Sequence, residues 1–200
     1  MKRQELIIIG PCASGKSTIA LELAKRLKLN CFQVDLLRWY YFYKNGYNLP
    51  KALAILEKSH IYELNELWQP FQLLTIENVL TDFKNGIFDF GGTYTLTQNN
   101  NDFLRIKKAF NDFSNIVLVL PSKSKEKSLE VINERVKAQL VKYSLSEKQI
   151  PERLELNRRM VYDDTNYLLA THTFYFENKT KEELADEILE IVFDKEKIKI

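Results

Sequence analysis

The sequence predicts an α/β fold in three layers, a parallel five-stranded sheet held between helices. Short runs rich in β-branched and aromatic residues recur at Leu6–Ile9, Cys31–Asp35, Ile87–Phe90, Ile116–Leu120 and Thr173–Phe176. Stretches with apolar residues at helical spacing separate them, the pattern of β–α–β units. The first run leads into Gly10-Pro11-Cys12-Ala13-Ser14-Gly15-Lys16-Ser17, which fits G-x-x-x-x-G-K-[ST] at every fixed position.

The apolar run Leu6–Ile9 reads as a buried parallel strand, and Ile19, Ala20, Leu23, Ala24 and Leu27 follow at helical spacing. Strand, glycine loop and helix together make a phosphate cradle. Gly10 and Gly15 allow backbone angles that turn the loop's N–H groups, those of Cys12–Thr18, towards an anion, and the helix start adds its positive end. In such a loop Lys16 sits between the β- and γ-phosphates, and the Ser17 hydroxyl ligates Mg²⁺.

Asp35 closes the second predicted strand, where ligands of an open parallel sheet gather; the alternative is a helix N-cap for Leu36 onward. Arg38 follows, suited to a carboxylate or phosphate. The aromatic run Trp39–Tyr43 cannot turn every ring into one core, so it either lines a cleft or packs an irregular segment. Residues 50–85 read as two or three helical pieces, started by Pro50, broken near Pro70 and stopped at Asn85-Gly86. They form a substrate-side helical insertion, about 36–85, within one domain spanning 1–200.

Asp89 lies amid the apolar residues of the third strand, which calls for a cation or another partner. Gly91 and Gly92 allow backbone to approach a ligand, or else form a tight turn. Phe103, Ile106, Phe110 and Phe113 make a helical core stripe, and Leu129, Ile132 and Val136 mark the helix that carries Arg135. Pro151 starts the next helix, with Arg153, Arg158 and Arg159. Weakly patterned chain followed by arginines predicts a lid over about 143–160. Thr180-Lys181-Glu182-Glu183 is a capping box opening the last helix, and the Glu177–Lys179 loop lies where a nucleotide base would rest.

Composition narrows the function further. Lys+Arg of 29 against Asp+Glu of 27 leaves a formal charge of +2, which disfavours nucleic acid as a partner. No apolar run reaches the roughly 20 residues of a membrane span, so a cytoplasmic protein with no membrane partner is expected. Cys12 lies in the loop and Cys31 on a strand, so no structural disulfide is expected, and the histidines, His60 and His172, have no metal-site spacing.

On these residues the chain resembles the small phosphate-loop kinases of the shikimate kinase-like group. The resemblance implies a P-loop NTPase sheet of order 2-3-1-4-5 with a helical lid, and phosphoryl transfer from Mg-ATP to a small-molecule hydroxyl. It implies nucleotide binding by Gly10–Thr18 and Arg135, Mg²⁺ binding at Ser17 with Asp89, and catalysis by Lys16, Asp35 and Arg158. Asp35, Arg38, Gly91, Gly92 and Arg158 would then form the acceptor site, with Arg158–Tyr162 matching an Arg-x-x-x-Tyr pattern. Three positions depart from the group. Gln33 stands where an Asp-x-Asp pair begins, Gln72 follows Phe71 where an arginine grips the substrate carboxylate, and Thr93 replaces a third glycine. These departures point to an acceptor other than shikimate. The alternatives are a nucleoside or nucleotide kinase stacking its base on 39–43, and a nucleotide-binding regulator with little kinase activity. The oligomeric state expected is monomer or homodimer.

Overall fold

The computed structural model describes residues 3–58, 61–142 and 149–192. His60 and the first part of the expected lid, 143–148, lie outside them. The strands are β1 (Arg3–Ile9), β2 (Asn30–Gln33), β3 (Gly86–Asp89), β4 (Phe113–Leu120) and β5 (His172–Tyr175). The helices are α1 (Lys16–Leu27), α2 (Val34–Lys44), α3 (Leu49–Glu57), α4 (Ile61–Asp82), α5 (Asn100–Phe110), α6 (Lys125–Lys142), α7 (Ile150–Tyr162), α8 (Thr165–Leu169) and α9 (Lys181–Val192).

All strand pairs are parallel and the order is β2-β3-β1-β4-β5, as the resemblance implies. Both sheet faces are covered, which is why the strands read as unbroken apolar runs. Ile7, Ile9, Phe88, Phe90, Leu118 and Leu120 point to one side, against residues of α2, α4, α5 and α8. Leu6, Ile8, Ile87, Val117 and Val119 point to the other, against α1 and α9. Alternate side chains of one strand therefore build two separate cores.

Phe110 belongs to the first core, 1% exposed, with its ring centroid 5.5 Å from that of Phe90. Phe110→Ala should lower unfolding free energy by about 3–5 kcal/mol. The check is a urea melt with a shifted midpoint at unchanged slope; a loss below about 1 kcal/mol would mean that this face repacks freely.

Several local expectations are corrected. Strand β2 ends at Gln33, which becomes the N-cap of α2, so Asp35 lies in the first turn of a helix. The pairing partner of Gln33 is Asp89, where β3 also ends. The aromatic run is helical: Tyr41 and Phe42 are buried, while Tyr40 and Tyr43 are exposed. Pro70 sits inside α4 without breaking it. Proline removes one helical hydrogen bond, but a buried face runs through Leu64, Gln69, Leu73 and Ile76, and packing against α2, α3, α5 and α7 holds both halves in line. Phe113 belongs to β4 rather than to the α5 stripe, and the short α8 carries no periodic signal. The capping box of α9 forms as expected, with Glu183 N–H donating to Thr180 Oγ1 at 3.2 Å and Thr180 N–H to Glu183 Oε2 at 2.7 Å.

Among the described residues no helix is long and apolar enough to cross a membrane.

Candidate active site

The β1–α1 loop occupies the carboxyl end of the central strand, flanked by β3 and β4. Gly15 has φ +101°, and a Cβ there would collide with the Phe176 ring, so only glycine suits the turn and the close approach. Gly10 packs its Cα face on the Val119 carbonyl at the loop entrance. Ala13 also takes a left-handed conformation, φ 57°, and its carbonyl accepts a 2.9 Å hydrogen bond from Arg135 Nη1. Arg135 thus reaches from the middle of α6 to the rim of the loop. Inside the loop, Ser14 N–H donates to the Pro11 carbonyl at 3.3 Å, and Lys16 Nζ donates to the same oxygen at 3.3 Å. Lys16 is only 6% exposed, so its charge is held in place by the fold.

Asp89, at the end of β3, lies beside Lys16 and the Ser17 hydroxyl. It is 4% exposed, and its Oδ1 has no partner among the described residues. Burial pushes its carboxyl above the ordinary range, against the opposing pull of Lys16 and Ser17. An orphaned buried carboxylate oxygen beside a serine hydroxyl is a hard-oxygen donor set, which fits Mg²⁺. Among the described residues no group of three or more His, Cys, Asp or Glu forms a protein-only cation cage. Mg²⁺ bound alongside phosphates needs only one or two protein ligands.

Two adjoining cavities continue from the loop. One, of about 620 Å³, is lined by Ala13, Gly15, Lys16, Ser17, Thr18, Arg135 and Phe176. The next, of about 490 Å³, shares Arg135 and Phe176 and adds Ser122, Lys127 and the Glu177–Lys179 loop. Phosphate donors lie at one end of this trough and the β5–α9 loop at the other. Phe176 was not singled out in the sequence; its place directly after β5 was the available signal.

On the far side of the loop lies a third cavity, of about 290 Å³, lined by Cys12, Asp35, Arg38, Asn65, Trp68, Gly92, Thr93 and Arg153 among others. Asp35 meets the Gly91 backbone: a Cβ on Gly91 would stand 2.5 Å from Asp35 Oδ1. Gly92 abuts Cys12 and Met160, where the loop and α7 converge. The Arg38 guanidinium lies 4.8 Å from the Trp39 ring and 4.9 Å from the Trp68 ring, with Nη1 3.6 Å from Asp35 Oδ1. That stacking fixes a long side chain at the cavity wall. The Nε atoms of both Arg38 and Arg153 are buried without a partner among the described residues.

Of the residues singled out from sequence, Lys16, Ser17 and Asp89 come together, and Asp35, Arg38 and Gly92 come together across the loop from them. Arg158 does not join them. It is exposed on α7 and forked onto Glu155, with Nε at 2.7 Å and Nη2 at 2.6 Å. Arg153, five residues and about 1.4 turns earlier, is the α7 arginine that lines the cavity. Asn65 and Trp68 of α4 were missed, because a helix read as broken at Pro70 hides which face meets the sheet.

No protein-family model and no curated protein matches the sequence. Solved structures do match the fold. A shikimate kinase from Acinetobacter baumannii, in complex with shikimate, superposes with a TM-score of 0.64 at 19% identity, covering 98% of this chain and 95% of that one. The shikimate kinase from Bacteroides thetaiotaomicron gives 0.58 at 15% identity, covering 94% and 97%. A sugar kinase from Janibacter gives 0.52 at 14% identity, covering 95% and 94%. The chain has the shikimate kinase-like phosphate-loop fold.

Proposed function

We propose that the protein is a phosphotransferase that moves the γ-phosphoryl group of Mg-ATP to a hydroxyl of a small molecule. The observation that carries this reading is the position of the phosphate loop. It separates a nucleotide-sized trough from a small closed-in cavity, with Lys16 and Asp89 behind it and Asp35 at the acceptor wall.

Each role follows from placement. The loop N–H groups and Lys16 hold the β- and γ-phosphates. Arg135 and Phe176 border the path from phosphates to base. Ser17 and Asp89 would hold Mg²⁺, which would neutralise charge on the phosphates. Asp35 accepts the acceptor's hydroxyl proton as its oxygen bonds to phosphorus and the bond to the β–γ bridging oxygen breaks, leaving ADP. Arg153, rather than Arg158, supplies positive charge from the acceptor side. The chain acts as one domain, with α2–α4 as the acceptor-side element and α7 packed on it as cover. None of the rings 39–43 lines the acceptor cavity; the aromatic ring that does is Trp68.

The direct test is ADP release with a pool of hydroxylated metabolites. Acceptor-stimulated release is expected; release equal to basal hydrolysis across the pool would contradict the reading.

Asp89 yields a second expected result. Above its raised folded-state pKa the buried carboxylate is ionised and opposes folding; as pH falls through that pKa, protonation relieves the penalty. Asp89→Asn removes the penalty and keeps the shape. The variant should therefore melt at a higher temperature than the parent at neutral pH, with the difference shrinking on acidification, while Mg²⁺-dependent turnover is lost. An unchanged melting temperature together with unchanged Mg²⁺ dependence would contradict this assignment.

A further inference from the structure

The acceptor cavity lies between two helices far apart in sequence, with Ile61, Asn65 and Trp68 of α4 on one side and Arg153 and Leu156 of α7 on the other. An apolar cluster joins the helices: Ile61, Leu156 and Met160 pack together with Leu96, and Cys12 and Tyr62 border them. A polar contact fixes their ends. Glu152 Oε2 accepts hydrogen bonds from the N–H groups of Ile61, at 2.5 Å, and Tyr62, at 3.3 Å. These are the first two residues of α4, whose N–H groups have no partner within their own helix. A carboxylate there also meets the positive end of a 22-residue helix.

This cap comes from across the cavity, 90 residues further along the chain from Tyr62. Glu152 lies in the first turn of α7, and Arg153, next to it, lines the cavity. Arg153 Nε is buried with no partner among the described residues, so the reach of this side chain into the cavity depends on where α7 lies. Exposed Arg159 adds a weaker contact between the helices, its guanidinium 5.7 Å from the Tyr62 ring. On the other flank of α7, Asn157 Nδ2 donates at 2.9 Å to Asn133 Oδ1 of α6, the helix that brings Arg135 to the phosphate loop. The helix α7 is thus tied to α6 on the nucleotide side and, through Glu152, to α4 on the acceptor side.

We propose that Glu152 is a positioning residue: it latches α7 to the first turn of α4 and so holds Arg153 in the wall of the acceptor cavity. Its part in turnover rests on the phosphotransferase reading, whereas the latch itself can be read without any acceptor.

Cys12 reports the latch. It is half-buried, lines the cavity and borders the cluster that joins α4 to α7, so parting the two helices uncovers it. The other cysteine, Cys31, packs against the core beside α1, and burial pushes its thiol up to about 11, which makes it slow to react.

The first measurement is the rate of Cys12 alkylation by iodoacetamide without nucleotide, read by peptide mass spectrometry. Glu152→Ala should speed it by about 10-fold or more, since two hydrogen bonds to a charged group are lost. Glu152→Gln keeps an acceptor oxygen and should fall between that variant and the parent. Thr180→Ala removes the cap of α9, a helix that does not line the cavity, and so controls for general loss of stability. Its labelling should stay within about 2-fold of the parent. The second measurement is ADP release over a dilution series of the hydroxylated-metabolite pool. Glu152→Ala should need about 10-fold more pool for half-maximal release, while half-saturating Mg-ATP stays within about 2-fold. In an Arg153→Ala background the same change should add nothing, because Glu152 acts through Arg153.

Unchanged Cys12 labelling in a folded Glu152→Ala protein, or an equal rise in Thr180→Ala, would overturn the latch. A further, additive loss in the double variant would overturn the link to Arg153. Faster Cys12 labelling in Glu152→Ala, with no acceptor-stimulated ADP release from the parent, would uphold the latch and overturn the phosphotransferase reading instead.

Discussion

Replacing Lys16 with alanine is expected to lower kcat/KM by about 10²–10³-fold, the usual effect of removing one fixed group that stabilises charge in the transition state. The side chain is 6% exposed and tied to the Pro11 carbonyl, so its ammonium is set in place before any nucleotide arrives. No solvent-borne cation can replace it at that depth. The same change should also destabilise the apo-protein, because Lys16 is the charge that opposes the burial of Asp89. The two effects separate in a double variant. Lys16→Ala with Asp89→Asn should recover much of the lost melting temperature and none of the activity, since the pair shares one charge interaction. Steady-state kinetics and thermal melts of the two single variants and the double variant check this. Activity within about 3-fold of the parent in Lys16→Ala would contradict the role given to the phosphate loop.

Asp35→Asn is expected to reduce kcat by about 10²–10⁴-fold, with little change in the KM for ATP. The asparagine keeps the size and one acceptor oxygen but cannot take the acceptor's proton. The Asp35 side chain is 55% exposed, so the change should leave stability nearly untouched. Gly91→Ala approaches the same carboxylate from outside. Its Cβ would stand 2.5 Å from Asp35 Oδ1 and so must displace it. Matching losses of kcat in the two variants, with unchanged Mg-ATP binding, would show that the position of the Asp35 carboxylate governs the chemical step. A fully active Asp35→Asn enzyme would remove the general base from the account.

The phosphate loop was legible in the sequence because its chemistry is local: glycines, lysine and serine lie within eight consecutive residues between a strand and a helix. The strands were legible because both sheet faces are buried. The acceptor side was legible only in part. Asp35 and Arg38 announced themselves near the end of β2, but a boundary drawn two residues late hid that they ride on α2. Asn65 and Trp68 reach the acceptor cavity from α4, whose continuity Pro70 argues against locally. Tertiary packing decides that point. Choosing between Arg153 and Arg158 was likewise beyond a linear reading. The two are five residues apart on one helix, some 140° around its axis, and local pairing with Glu155 engages the second on the exposed face.

The most direct measurement is transfer of isotope from γ-labelled ATP, incubated with Mg²⁺, the protein and a pool of hydroxylated metabolites, followed by mass spectrometry. One labelled phosphate monoester is expected, accumulating in step with ADP and absent with Lys16→Ala. Label appearing only as inorganic phosphate, with nucleotide bound and no labelled ester formed, would contradict it.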